Sequence, residues 1–267
     1  YLTYRSSPTQ VGTDTTWKYI SQGQGQHCTT LATKTDGTIW FWGRSTTGAD
    51  GQNGSGWQPS TPGPDGIFRS SPTQIGTGTD WFSAACKANG SVYASKAYTD
   101  EPGRFGDKKG ALWAWGNNTS GCLGLTSQNN RSSPAQLPGQ QYDMMDPMLS
   151  GGHQVMGHTK YNGYLYCWGD NTYGSLGQNN RTNYSSPKLI GTDTDWKLWL
   201  GANKASFALK NDDSLWVWGR NQNGLLGQNR DPNDPNLSSP VQMDTTAKWV
   251  TLSGSYYTIQ GANRQPA

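Results

Sequence analysis

The sequence predicts an all-β fold, specifically a β-propeller of four-stranded blades. Three observations predict it: an aromatic strand pattern written four times, a Ser-Ser-Pro motif that recurs between the copies, and a near absence of glutamate. The 267 residues include a single glutamate, Glu101, against 17 aspartates. Glutamate favours helices and is rare in strands, so this bias argues against helical structure.

The aromatic strand is the central element of each repeat. Its four copies are residues 39–43, 112–116, 165–169 and 215–219. Large aromatic side chains stand two positions apart and share one face of an extended strand, while apolar residues take the other face. Both faces therefore favour burial, as expected for a strand packed between two layers.

Other positions recur in a fixed order around this strand. The Ser-Ser-Pro prolines are Pro8, Pro72, Pro134, Pro187 and Pro240, spaced by 64, 62, 53 and 53 residues. A strand that opens on proline lacks one ladder donor, so we expect it at a sheet edge. A tryptophan follows each of four prolines at Trp17, Trp81, Trp196 and Trp249. In the third copy we expect Asp146 to take that place.

Two kinds of turn complete the unit. Tight turns such as Asp36-Gly37 and Asn162-Gly163 precede the aromatic strand and suit two-residue hairpins. After the strand comes a Gly-x-x-Gly turn, at residues 48–51, 121–124, 174–177 and 224–227. Each unit thus supplies about four short strands in roughly 50 residues, the size of a propeller blade.

We expect one propeller domain over residues 1–267. Its predicted units are a partial repeat at 1–16, repeats at 17–80, 81–142, 143–195 and 196–248, and a partial repeat at 249–267. About five repeats are visible. A small irregular ring and part of a six- or seven-bladed ring both remain open.

The motif order resembles the regulator of chromosome condensation repeat family, whose blades read roughly sP…W…G…dG.lw.wG.n..GqLG. The resemblance covers nearly the whole chain and implies a propeller. It is closest in style to phage and bacterial members of the family. It does not by itself imply one function, because the family includes nucleotide-exchange factors, enzyme inhibitors and surface proteins.

Charge and motifs exclude several classes of function. The net charge is +3, and the single basic pair is Lys108-Lys109, so we expect no nucleic-acid partner. No apolar run approaches the roughly 18 residues of a membrane helix. The three histidines and four separated cysteines favour no metal site, and we expect no cofactor. Aspartates such as Asp193 occupy turn positions, so we predict no catalytic residues and no enzyme activity.

Five aromatic residues break the repeat or fall in its loops, and they are the predicted binding residues: Trp57, Tyr93, Tyr98, Phe105 and Tyr173. The alternative for each is packing within its own loop.

Three functions remain open. The first is a non-catalytic propeller on a virion, such as a bacteriophage tail or capsid surface protein, that mediates assembly or host adhesion. Its partners would be other virion or surface proteins, with a host-surface glycan or protein and a homo-oligomer also open. Its location would be the virion, the extracellular space or a cell surface. The second is an intracellular exchange factor for a small GTPase. The third is a secreted enzyme inhibitor.

Overall fold

The computed structural model describes residues 7–22, 29–45, 47–53, 67–87, 89–97, 110–139, 142, 154–158, 163–202, 204–228, 236–254 and 259–263. These residues form five antiparallel sheets in chain order, so the predicted all-β fold is confirmed. The helical elements among them are two 3-10 turns of three residues each, Thr119–Gly121 and Gln222–Gly224.

Each sheet is a meander in which consecutive strands pair. Sheet 1 contains β1 (Trp17–Gln22), β2 (Thr29–Lys34), β3 (Ile39–Ser45) and β4 (Ile67–Gln74). Sheet 2 contains β5 (Trp81–Cys86), β6 (Ser91–Ala97), β7 (Gly110–Gly116) and β8 (Arg131–Gln136). Sheet 3 contains β9 (Gln154–His158), β10 (Leu165–Gly169) and β11 (Tyr184–Leu189). Sheet 4 contains β12 (Trp196–Ala202), β13 (Ala205–Lys210), β14 (Leu215–Gly219) and β15 (Leu237–Met243). Sheet 5 contains β16 (Trp249–Gly254) and β17 (Ile259–Asn263).

The aromatic strand lies inside its sheet, as predicted. In sheet 4, β14 pairs with β13 on one side and with β15 on the other. Its apolar residues Leu215 and Val217 are buried, and so is Trp218, whereas Trp216 is only partly buried. The Ser-Ser-Pro strands β4, β8, β11 and β15 are edge strands, which confirms the expectation drawn from their prolines.

The second aromatic residue of the strand joins neighbouring sheets. The Trp115 indole N–H donates to the Ala49 carbonyl at 2.9 Å, and Trp168 and Trp218 donate to the Cys122 and Ser175 carbonyls at 2.8 Å. Each acceptor is the second residue of the Gly-x-x-Gly turn in the preceding sheet. The aromatic strand of one sheet and the Gly-x-x-Gly turn of the preceding sheet therefore form the two sides of the interface between them.

The Gly-x-x-Gly turn also rests on the next Ser-Ser-Pro strand. A Cβ atom at Gly174 would lie 2.6 Å from the Ser238 Cα atom, so only glycine allows this approach. Two residues beyond the turn, the Asn179 N–H donates to the Ser238 carbonyl at 2.7 Å. The equivalent bonds run from Asn53 to Ser132 and from Thr126 to Ser185, each at 2.7 Å.

Sheet 3 corrects one expectation. Tyr142, not Asp146, takes the place of the repeat tryptophan, because its ring packs edge-on against Tyr166 with centroids 5.5 Å apart. It also lies 5.6 Å from the ring of Trp168, much as Trp81 lies beside Trp115. An aromatic ring fills this apolar position, which an aspartate side chain would leave open. Asp146 itself lies outside the described residues.

The meander gives the array two different faces. We call one of them the turn face. It carries the connection between β2 and β3 and the equivalent connections of the other sheets, each of which precedes an aromatic strand. It includes Gly37, whose carbonyl accepts from the Trp81 N–H of the next sheet at 3.0 Å. We call the opposite face, which carries the Gly-x-x-Gly turns, the long-loop face. Every described sheet presents the same face to the same side because these contacts repeat from sheet to sheet.

Candidate binding face

The long-loop face collects the arginines of the chain. All five arginines among the described residues lie at the strand ends or loops of this face: Arg44, Arg69, Arg131, Arg181 and Arg220. Lys204, in the turn between β12 and β13, adds a sixth cation. Arg131 and Arg181 are exposed, and the other four side chains are partly buried.

The acidic residues lie mainly on the other side. Eight described aspartates belong to the turn face: Asp14, Asp36, Asp80, Asp193, Asp195, Asp212, Asp213 and Asp244. The long-loop face has two, Asp50 and Asp170, and each pairs with a cation. Lys87, in the turn between β5 and β6, is buried. Without it, six cations against two carboxylates leave four excess positive charges among the described residues of this face. A chain with a net charge of +3 therefore has a basic face.

The loops of this face are held by a repeated asparagine. Asn171 is fully buried, its N–H donates to the Asn183 Oδ1 at 2.7 Å, and its Oδ1 accepts from the Leu176 N–H at 2.9 Å. Asn118 and Asn221 make the same pair of bonds in sheets 2 and 4. These buried hydrogen bonds give the loops one defined shape before any partner arrives.

Tyr173 lies at the centre of the best-defined cluster on this face. Its ring centroid is 5.1 Å from the Lys204 Nζ and 4.9 Å from the Arg220 Cζ. Both cations belong to sheet 4, while Tyr173 belongs to the loop of sheet 3, so the cluster spans two sheets. Cation–π contacts of this kind hold the two side chains at the surface.

Asp170 anchors the same cluster from below. Its carboxylate lies 3.0 Å from the Lys204 Nζ and is almost fully buried. Burial alone would raise the pKa of Asp170, but hydrogen bonds from Thr172 and the Lys204 ammonium hold it below the usual value. The carboxylate thus stays ionised and fixes Lys204.

Of the five predicted binding residues, Tyr173 is the one that the structure places in this cluster. The prediction that Tyr93 is an exposed binding residue is wrong, because its side chain is fully buried. Its hydroxyl donates to the Cys122 carbonyl, and its ring packs with Leu112 and Val155 in the core between sheets 2 and 3. Tyr93 lies within β6, the second strand of sheet 2, at an inward-facing core position. The tyrosine hydroxyl is satisfied there, so a polar tip does not indicate exposure.

Trp57, Tyr98 and Phe105 lie outside the described residues. The strand ends that flank them are described, however. Trp57 belongs to the connection between β3 and β4, which leaves the long-loop face. Tyr98 and Phe105 belong to the connection between β6 and β7, which leaves the turn face. The two insertions therefore start from opposite faces.

The described part of the chain contains no group of three or more histidine, cysteine, aspartate or glutamate side chains placed to hold a metal ion. In that same part, no helix has the length and apolar character needed to cross a membrane. The chemistry that the basic face can perform is recognition, because arginines and a tyrosine bind and orient anionic groups.

Comparison with known proteins identifies the repeat. A family model described as "Regulator of chromosome condensation (RCC1) repeat" matches residues 109–146 and 162–197. The human E3 ubiquitin-protein ligase HERC2 is 30% identical over 171 residues, which are 64% of this chain and 3% of that protein. The protein RCC2 homolog of Danio rerio is 32% identical over 74 residues, which are 28% of this chain and 15% of that protein. The chain thus spans only a small part of these curated relatives.

The fold also matches a solved structure. The crystal structure of human WBSCR16 superposes with a TM-score of 0.64 at 18% identity, covering 93% of this chain and 58% of that one. At this identity the match shows a shared fold and nothing about a shared partner.

Proposed function

Because this chain belongs to the regulator of chromosome condensation repeat family, we propose that it is a non-catalytic binding propeller whose long-loop face holds an acidic protein partner. The observation that carries the proposal is the position of the arginines: all five described ones lie on this face, whereas eight of ten described aspartates lie on the other. Complementary charge speeds association and selects the partner.

The spacing of the cations favours a protein partner over a nucleic-acid backbone. Arginine presents a planar fork that binds either a carboxylate or a phosphate through two hydrogen bonds, so the arrangement of the cations decides between them. The six cations are separated by neutral asparagine-rich loops and by Tyr173 rather than joined in one stripe. A nucleic acid would need a continuous track of phosphate contacts. A folded acidic protein can meet separated cations with separated carboxylates.

A binding titration tests the proposal. The probe is a fluorescent peptide of twelve glutamates, titrated with the chain at 0.1 M salt, and the variant is Arg131→Glu with Arg181→Glu. We expect this variant to bind at least tenfold more weakly, because the two exposed arginines lie on the proposed surface.

The matched control changes the charge of the chain by the same amount on the turn face. Lys18→Glu with Lys248→Glu replaces two exposed lysines there, and binding should stay within about threefold of wild type because long-range screening leaves only a small net-charge effect. Equal losses in the two variants would overturn the proposal. Binding of duplex DNA more tightly than the glutamate peptide at the same salt would replace the acidic protein by a nucleic acid.

Two finer roles raised from the sequence are tested separately. A virion role, as a bacteriophage tail or capsid surface protein, predicts that the chain is found in purified particles. An exchange-factor role predicts that the chain accelerates nucleotide release from a small GTPase. The basic face is compatible with either role, because both require a protein partner.

A further inference from the structure

The cluster around Tyr173 departs from the repeat. It is built across the junction between sheets 3 and 4 from Asp170, Tyr173, Lys204 and Arg220. At the junction between sheets 1 and 2, the equivalent residues are Arg44, Thr47, Gly90 and Asn117. Backbone hydrogen bonds establish the equivalence. The Arg220 N–H donates to the Lys204 carbonyl at 3.0 Å. The Asn117 N–H donates to the Gly90 carbonyl in the same way, at 3.2 Å. Departures from a repeated pattern are expected at functional sites.

Lys204 has a backbone conformation that suits glycine. Its φ is 66°, and Gly90 has a φ of 84° at the same position in sheet 2. The other described non-glycine residues with a positive φ have short polar side chains: Asn53, Ser120, Thr126, Asn179, Asp213, Asn223 and Asp244. The left-handed region is unfavourable for a long side chain, and residues held in such conformations cluster at ligand-binding sites. The strained backbone therefore indicates that the Lys204 ammonium is needed at this junction.

A buried carboxylate fixes this ammonium. The Asp170 carboxylate lies 3.0 Å from the Lys204 Nζ, with 6% of the Asp170 side chain exposed and 30% of the Lys204 side chain exposed. The other oxygen of Asp170 accepts from the Thr172 N–H at 2.9 Å and from the Thr172 hydroxyl. The protein thus holds the carboxylate in place, while the lysine that it fixes remains partly in solvent.

The charge of the cluster is small. Lys204 and Arg220 contribute two positive charges and Asp170 one negative charge, so these residues together carry +1. The Tyr173 ring lies near both cations, at 5.1 Å from the Lys204 Nζ and 4.9 Å from the Arg220 Cζ. One carboxylate neutralises a charge of +1. A phosphate monoester brings roughly −1.5 to −2 at pH 7, and the buried Asp170 carboxylate would repel the excess.

We propose that the Tyr173 cluster is a subsite for a single carboxylate of the acidic partner, and that it selects a carboxylate over a phosphate monoester. The Arg220 guanidinium and the Lys204 ammonium bind the carboxylate oxygens, and the Tyr173 hydroxyl donates a further hydrogen bond. Asp170 does not contact the ligand and sets the selectivity through its charge. This inference rests on the proposed function, because the carboxylate belongs to the partner of the long-loop face.

The first test compares two arginines of the same face. Arg220→Gln and Arg181→Gln each remove one positive charge from the long-loop face, but only Arg220 belongs to the cluster. With the fluorescent peptide of twelve glutamates at 0.1 M salt, we expect Arg220→Gln to weaken binding about tenfold or more, and Arg181→Gln about two- to threefold. Equal losses would overturn the subsite and leave a diffuse positive field on this face.

Lys204→Gly is a second variant of the cluster that should fold. Glycine already adopts this backbone conformation at Gly90, and the Thr172 bonds to Asp170 remain. Thermal unfolding verifies that the variant is folded. It should bind the glutamate peptide about tenfold more weakly or less tightly still, because the cluster then has no net positive charge. A folded variant that binds as wild type does would overturn the subsite.

The second test measures selectivity with two peptides of twelve residues. One carries six glutamates and the other three phosphoserines, so each has a charge of about −6 at pH 7.5. Wild type should bind the glutamate peptide about fivefold more tightly. Asp170→Asn keeps the shape of the side chain and removes its charge, so this preference should fall to about twofold or less. A wild-type preference for phosphoserine, or a preference that Asp170→Asn leaves unchanged, would overturn the carboxylate assignment.

Failure of the proposed function has a different signature. Wild type that binds no glutamate peptide would overturn both the acidic partner and the subsite. Binding that Arg131→Glu with Arg181→Glu weakens, but that Arg220→Gln and Lys204→Gly do not, would overturn the subsite alone.

Discussion

Trp115, Trp168 and Trp218 are fully buried, and each donates its indole N–H to a carbonyl of the preceding sheet. The first aromatic residue of each strand has a different role. Trp216, for example, is partly buried, packs edge-on against Trp196 at 6.3 Å, and lies 4.9 Å from the Lys210 Nζ. The two tryptophans of one strand are therefore not equivalent in their contribution to stability.

Trp218→Ala should destabilise the chain by about 3–5 kcal/mol, because it leaves a cavity between two sheets and removes one of the two hydrogen bonds to the Ser175 carbonyl, the other coming from the Ser206 hydroxyl. Trp216→Ala should cost clearly less, because its ring is already partly in water. The measurement is urea unfolding followed by circular dichroism. Equal midpoints for the two variants would show that the interface between sheets 3 and 4 does not depend on the second tryptophan.

Lys87 is a buried cation in the core between sheets 2 and 3. Its ammonium donates to the Gln154 carbonyl, and burial lowers the pKa of Lys87 from the usual 10.5 to about 8. The folded-state pKa lies below the unfolded one, so the unfolded chain binds more protons between these values. Stability should therefore rise with pH across this window.

Wild type should gain roughly 2 kcal/mol between pH 7.5 and 9.5 from this group alone. Lys87→Met removes the titrating group, so wild type should gain that amount of stability relative to the variant over the same range. Urea unfolding at a series of pH values measures it. A constant difference would show that Lys87 keeps its ordinary pKa when the chain is folded.

Among the structural elements, the Gly-x-x-Gly turn has a role that its sequence alone did not reveal. Its glycines were predicted to make a turn, and they do, with the Gly177 N–H donating to the Gly174 carbonyl at 3.0 Å. The same glycine also allows the next sheet to approach within contact of the backbone. Gly174 therefore both forms the turn and allows the close contact with the next sheet.

Gly174→Ala and Gly191→Ala separate these two effects. Both glycines have a positive φ, of 80° and 60°, so alanine should cost about 1–2 kcal/mol of backbone strain at either site. An alanine Cβ at Gly174 would also meet the Ser238 backbone, whereas nothing lies within 4 Å at Gly191. We expect Gly174→Ala to cost about 1–3 kcal/mol more in thermal unfolding. Equal costs would show that the sheets separate easily at this contact.

Much of each element could be predicted from periodicity. The alternation of residues 215–219 and the proline at position 187 were sufficient to predict an interior strand and an edge strand, because each follows from local geometry. Tyr93 and Tyr142 could not be placed in this way. Both are core residues, although a tyrosine is equally typical of a loop or a binding site. Their burial depends on contacts with the neighbouring sheet rather than on the sequence of their own segment.

At the scale of the whole molecule, sequence reasoning did not predict that the described arginines lie together on one face. The arginines look scattered along the chain, and the net charge is small. The signal was nevertheless present: Arg44 and Arg220 directly follow an aromatic strand, and Arg69 and Arg131 directly precede a Ser-Ser-Pro motif. In a meander these two positions lie at the same end of the strands. Topology therefore turns a scattered set into one face.

The measurement that tests the central claim most directly is hydrogen–deuterium exchange with and without the glutamate peptide. The binding face predicts added protection in the loops at residues 117–130, 170–183 and 220–228. It predicts no change in the turns at residues 35–38, 192–195 and 211–214, where the aspartates lie. Protection confined to those turns would contradict the account, because the turn face would then hold the partner.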